Sequence, residues 1–215
     1  METGVDNLLK KTAVAAALCA LAYVVLFFFV DRAVVLWIHN NCQDTWLPVV
    51  GKYLSYSAQG PLIRVGLALC FILILITDSG LKRRETRVLL YICICGAIAI
   101  TIGDALKYLL GRYRPIMLFD HDLYGLRLFS KKWVMNSTPS GHTIRAFSIL
   151  TAVSLVFRRF AVVFISIAAI IGLSRVAVTD HYPSDVLFGA YIGIFTALWT
   201  YVHFFRDEKR RNEHW

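Results

Sequence analysis

Residues 160–205 read FAVVFISIAAIIGLSRVAVTDHYPSDVLFGAYIGIFTALWTYVHFF. Two apolar runs, each about as long as the ~20-residue helix that crosses a bilayer core, flank a short stretch bearing Arg175, Asp180, His181 and Asp185. Ionisable groups at the ends of such runs are costly unless they have work to do. The stretch therefore reads as two membrane spans joined by a functional connection. Working outward, four more apolar blocks fit a span, at about residues 13–30, 60–77, 88–110 and 140–157. The expectation is an all-α integral membrane bundle of six transmembrane helices, forming one domain over residues 1–215.

Composition agrees with that reading. Of 215 residues, 58% are hydrophobic and 17% charged, against roughly 45–50% and 25% in a soluble domain. Abundant Phe, Ile and Leu with only five Cys exclude disorder and a disulfide-stapled secreted scaffold. Cys19, Cys70, Cys93 and Cys95 fall in apolar blocks and read as small core hydrophobes. The first block runs into Asp31 and Arg32 without a small-residue cleavage site, so it reads as a retained span. Residues 33–60 are too polar to span and carry Trp37, Trp46 and Tyr53, aromatics suited to a bilayer surface.

The net charge of +9 would point to nucleic acid in a soluble protein, but here it concerns topology and anionic lipid, and no nucleic-acid partner is expected. With cytoplasmic termini, the inner side receives Lys10, Lys11, Lys82, Arg83, Arg84, Arg87, Arg158, Arg159, Arg206, Lys209, Arg210 and Arg211. The outer side still holds eleven basics, among them Lys107, Arg112, Arg114 and Arg175. Such a balance satisfies the positive-inside rule only if several outer cations serve chemistry.

Three polar patches collect on that outer side: KYLLGRYRP at 107–115, PSGH at 139–142 and SRVAVTDHYPSD at 174–185. Lys107, Arg114 and Arg175 bring three positive charges, and the Arg fork matches phosphate oxygens. Ser140 and Gly141 open a span, so its N-terminal amides can hold an anion. His181 has Asp185 four residues on, within reach of its second ring nitrogen, and so reads as a nucleophile toward phosphorus. His142, with no carboxylate nearby in sequence, reads as the acid. Each piece alone has an ordinary reading: a snorkelling cation, a helix cap, a hydrogen-bonded histidine. Together they read as a phosphoryl-transfer site that needs neither metal nor cofactor.

The spacings Lys107-x6-Arg114-Pro115, Pro139-Ser140-Gly141-His142 and Ser174-Arg175-x5-His181-x3-Asp185 resemble the type-2 phosphatidic acid phosphatase superfamily. The resemblance implies a metal-independent phosphatase in which His181 is phosphorylated, Asp185 supports it, and His142 serves as acid and then base. Lys107, Arg114, Ser140, Gly141 and Arg175 would hold the phosphoryl group. It implies an amphiphilic lipid phosphate or diphosphate as substrate, and Gly141, where some undecaprenyl diphosphate phosphatases carry Asp, leans toward the phospholipid or lipid A type. The chain's small size looks bacterial, which would put the site on the periplasmic side of the inner membrane. A lipid phosphotransferase and a non-catalytic lipid-phosphate transporter are the alternatives.

Four cations on the same side fall outside the cage: Arg127, Lys131 and Lys132 in the loop, and Arg145 one turn past His142. Either the loop residues are interfacial anchors and Arg145 pairs with a carboxylate such as Asp104, or some contact a second anionic group on the substrate.

Overall fold

The computed structural model describes residues 2–212, with side chains described for residues 7–205. The side chains of Arg206, Lys209, Arg210 and Arg211, expected on the cytoplasmic side, lie outside that set. Helix α1 (Glu2–Val25) passes through a π-helical segment (Leu26–Val30) into α2 (Asp31–Cys42). Then come α3 (Trp46–Tyr56), α4 (Gly60–Asp78), α5 (Arg84–Leu110), α6 (Pro115–His121), α7 (Gly141–Val156), α8 (Ala161–Ala177) and α9 (Pro183–Asn212).

Among the described residues, five segments are long and apolar enough to cross a membrane: Asn7–Cys42, Trp46–Asp78, Arg84–Leu110, Arg158–Ala177 and Pro183–Phe205. The expected fourth span differs. Helix α7 has 16 residues, about 24 Å at 1.5 Å per residue, short of a ~30 Å hydrocarbon core. It is also the innermost helix, packed on α5, α8 and α9. Its buried positions include Thr143, Arg145, Ser148, Thr151 and Ser154, which lower its hydropathy; Thr143, Arg145, Ser148 and Ser154 find hydrogen-bond partners inside protein rather than lipid.

Small residues set the approach of α9 to α7. A Cβ on Gly193 would lie 2.7 Å from the Ser148 amide nitrogen, and one on Gly189 would lie 2.9 Å from the Ser140 carbonyl oxygen. Without a hydrophobic drive between helices in lipid, this close backbone packing is the main source of association. Gly193→Leu should therefore separate α7 from α9 and destabilise the whole bundle.

Residues 33–60, expected at the bilayer surface, are helical over 33–42 and 46–56, and Trp37, Trp46 and Tyr53 are exposed. Helix α3 docks on α8, where Gly51 leaves so little room that a Cβ would come 2.7 Å from Val178 Cγ1. Between α5 and α7 the backbone at 111–114 is clamped on both sides. Arg112 N–H donates to Met135 O (2.5 Å), Arg114 N–H to Val134 O (2.8 Å) and Tyr113 N–H to Gly125 O (3.1 Å). Gly111, with φ +37°, makes the exit from α5, and a Cβ there would sit 2.0 Å from the Arg127 carbonyl oxygen.

Candidate active site

The three polar patches meet at the N-terminus of α7. Ser140 is its N-cap residue, and its amide donates to the Asp185 carbonyl at 3.0 Å, which ties the start of α7 to that of α9. The Ser140 hydroxyl accepts from Thr143 Oγ1 at 2.9 Å. Gly141 lies between two cations: a Cβ on it would be 3.1 Å from an Arg145 guanidinium nitrogen and 3.4 Å from Lys107 Cε. A side chain there would fill the space an anion needs over the α7 amides.

Each cation of the cage is held by oxygens that leave part of its donor set free. Lys107 Nζ donates to Asn136 O (2.8 Å). Arg114 donates from Nε to Trp133 O (3.0 Å), and its guanidinium lies over the Trp133 ring at 4.3 Å. Arg175 donates to Ser55 Oγ (2.5 Å) and pairs with Asp180. Arg175, Arg145, Lys107 and Arg114 all act electrostatically on His142.

His181 is 2% exposed. Its Nδ1 faces Asp185 Oδ2 at 3.7 Å and Ser137 Oγ at 3.5 Å. Ser137 in turn donates to Asp185 Oδ2 at 2.6 Å, so the hydroxyl bridges what the two side chains do not close directly. That orientation leaves Nε2 as the free ring nitrogen. Burial pushes the imidazole well below its ordinary pKa, Arg114 adds to the effect, and Asp185 opposes it.

Behind Asp185 lies a buried ion network absent from the sequence expectation. Arg112, fully buried, donates to Asp185 Oδ1 (2.6 Å), Ser184 Oγ (2.7 Å), Asp31 Oδ2 (2.8 Å) and the Tyr124 hydroxyl (2.8 Å). Phe27 and Tyr182 face its guanidinium at 4.6 and 4.2 Å. Burial works against the charge on Arg112, but Asp185, Tyr23 and Asp31 outweigh it and hold its pKa above the ordinary value. The signal in the sequence was an Asp at the end of an apolar block and an Arg two residues before Arg114.

All eight expected cage and dyad residues, Lys107, Arg114, Ser140, Gly141, His142, Arg175, His181 and Asp185, converge here. The four outlying cations divide. Arg127 and Lys132 are exposed on the loop. Lys131 lines a cavity of about 350 Å³ with Asp104, Lys107, Tyr108, Ser130 and Asn136. Arg145 is buried at the edge of the cage and donates from Nε to Ala58 O (2.7 Å). The pairing of Arg145 with Asp104 is corrected: Asp104 on α5 binds Arg64 at 2.6 Å, because α4 packs against α5 and brings Arg64 to it.

A helical membrane bundle with Lys107, Arg114 and Arg175 gathered at the start of α7 beside a buried His–Asp pair defines the class. Residues 86–209 match the PAP2 superfamily, more than half of the chain, and the chain belongs to that family as a multi-pass membrane protein. It is 37% identical over 101 residues to a lipid A 1-phosphatase of Rhizobium johnstonii, a match covering 45% of this chain and 41% of that one. The chain spans about half the length, or somewhat less, of the curated relatives it matches. Among solved structures, the transmembrane PAP2 type phosphatidylglycerolphosphate phosphatase of Bacillus subtilis superposes with a TM-score of 0.59 at 16% identity, covering 93% of this chain and 96% of that one. Aquifex aeolicus LpxE superposes with a TM-score of 0.53 at 23% identity, covering 81% and 96%. Both likenesses are of fold.

Proposed function

We propose that the chain is a metal-independent lipid phosphate or lipid diphosphate phosphatase acting through a phosphohistidine. The observation that carries this is the convergence of Lys107, Arg114 and Arg175 on the opening of α7 beside a buried His181 backed by Asp185. His181 Nε2 attacks phosphorus while Asp185, through Nδ1, stabilises the positive charge that forms on the ring. The P–O bond to the lipid breaks, and the departing oxygen takes a proton from His142. His142, now neutral, takes a proton from water, whose oxygen attacks the phosphohistidine; phosphate leaves and His181 is restored. Lys107, Arg114, Arg175, Ser140 and Gly141 hold the phosphoryl oxygens and stabilise the transition state.

In this reading α7 completes a six-helix transmembrane domain, with both termini cytoplasmic and the site at the periplasmic face of a bacterial inner membrane. Lipid A, named for a relative, and phosphatidylglycerophosphate, named for a structural neighbour, are the first substrates to try. The test is phosphate release by the purified chain, with a chelator present, from these lipids, phosphatidic acid and undecaprenyl diphosphate. No release from any of them, or strict dependence on an added divalent cation, overturns the reading.

Two predictions belong to the same assay. His181 must be neutral to attack, and its depressed pKa keeps it neutral as pH falls past the ordinary ~6.5. The acid limb of kcat/KM should therefore lie below pH ~6.5; a limb at or above that value would assign it to another group. Second, Arg145→Gln and Lys131→Ala should lower kcat/KM on a lipid with a second anionic group by about tenfold or more while sparing a short-chain monophosphate. Arg127→Ala and Lys132→Ala should spare both. Equal losses on both substrates would remove Arg145 and Lys131 from substrate selection.

A further inference from the structure

The start of α2 is linked to the His181–Asp185 pair through Arg112 and Ser184. The π segment ends where Asp31 N–H donates to Leu26 O, five residues back. The segment inserts an irregular turn, and such turns are frequent at functional sites. Asp31, fully buried, then accepts from the Ser184 amide (3.0 Å), from the Ser184 hydroxyl and from Arg112 (2.8 Å). Arg112 reaches on to Asp185 Oδ1 at 2.6 Å. Asp31 and Arg112 are 81 residues apart in the chain, and Asp31 lies outside the 86–209 stretch that carries the family match.

We propose that Asp31 is a positioning residue of the reaction, acting through Arg112 and Ser184 to hold Asp185 and to set how much of the Arg112 charge falls on it. The proposal rests on His181 being the nucleophile. Asp31, Arg112 and Asp185 form a bridge of two carboxylates and one guanidinium, with one net negative charge. Because Arg112 is shared, Asp185 keeps negative character to offer the His181 ring as it becomes cationic. With Asp31 neutral, Arg112 would cancel Asp185 alone. A buried ionic bridge is weak evidence for stability in itself, and an ionisable residue inside a membrane helix calls for a working partner. Around Arg112 the remaining titratable groups are the phenols of Tyr23, Tyr124 and Tyr182. The charged groups acting on His181 are Arg114, Lys107 and Asp185, with Asp180 paired to Arg175 at the neighbouring position.

The test uses the full chain and whichever lipid phosphate the wild type hydrolyses. Asp31→Asn should lower kcat by up to about 100-fold, leave KM and inhibition by vanadate unchanged, and shift the acid limb of kcat/KM downward, since a negative charge near His181 is lost. Asp31→Asn with Arg112→Gln restores the net charge of the bridge and should return the limb toward the wild-type position. A simple staple between α2 and α9 predicts instead that the double variant is no better than the single one. Wild-type kcat in Asp31→Asn, an unmoved limb, or no return in the double variant overturns the proposal. If Asp31→Asn fails to fold by thermal unfolding, Ser184→Ala decides: it keeps every charge and should lower kcat without moving the limb, whereas wild-type kcat overturns the proposal. A wild type that hydrolyses no lipid phosphate defeats the phosphatase reading itself, an outcome distinct from an active wild type with an unaffected Asp31→Asn.

Discussion

His181→Ala reduces phosphate release by about 10⁴-fold or more. The expected loss is this large because no other described group stands behind the cage with a free ring nitrogen and a carboxylate at its back. The cage itself does not involve the imidazole: Lys107, Arg114 and Arg175 are anchored by Asn136, Trp133, Ser55 and Asp180. Vanadate should therefore still bind the variant, though less tightly for want of a ring nitrogen to ligate it. Rapid quenching adds a second readout. Wild type should form an acid-labile, alkali-stable phosphoenzyme and His181→Ala none. His142→Ala should accumulate it from a substrate with a good leaving group, because attack no longer needs the acid while hydrolysis still needs the base. Near wild-type turnover in His181→Ala would remove the nucleophile from the mechanism.

What could be read in the sequence was what is local. Lys107 to Arg114, Ser140 to His142 and Arg175 to Asp185 are each short enough for spacing to fix their relation. Counting apolar blocks led to the expectation that all three lie at one end of the bundle, and they meet at the start of α7. Less visible were the partners brought in over long distances. Ser55 lies in a stretch that reads as surface, yet α3 docks on α8 and its hydroxyl binds Arg175 from 120 residues away. Ser137, two residues before the PSGH run, reads as loop and bridges the dyad. Asp31 reads as the polar end of a span, because nothing in apolar periodicity announces a π segment that changes which face the next residue presents. Residues 140–157 read like the other apolar blocks, whereas α7 is only 16 residues long and sheathed by its neighbours, because its polar positions do not announce in the sequence that they are buried in protein.

Asp185→Asn should cost about 10³- to 10⁴-fold in kcat, by a route that the hydrogen bonds specify. Three donors converge on the carboxylate: Arg112 on Oδ1 at 2.6 Å, and Ser137 Oγ (2.6 Å) and the Tyr182 amide (3.0 Å) on Oδ2. An Asn offers one acceptor oxygen and one amino group. Arg112 cannot give up its proton, so the oxygen should turn to it and the amino group toward Ser137, which leaves the Tyr182 N–H without its acceptor. Ser137 must then accept from the amino group, and its own proton is free to point at His181 Nδ1, 3.5 Å away. That stabilises the tautomer with hydrogen on Nε2, the nitrogen that must attack, and turnover stops at the chemical step. Removing the misdirected proton with Ser137→Ala in the Asp185→Asn background should recover part of the lost rate. Ser137→Ala alone, with the carboxylate intact, should cost less than Asp185→Asn. A double variant slower than Asp185→Asn would assign the defect to lost charge on Asp185 rather than to the tautomer.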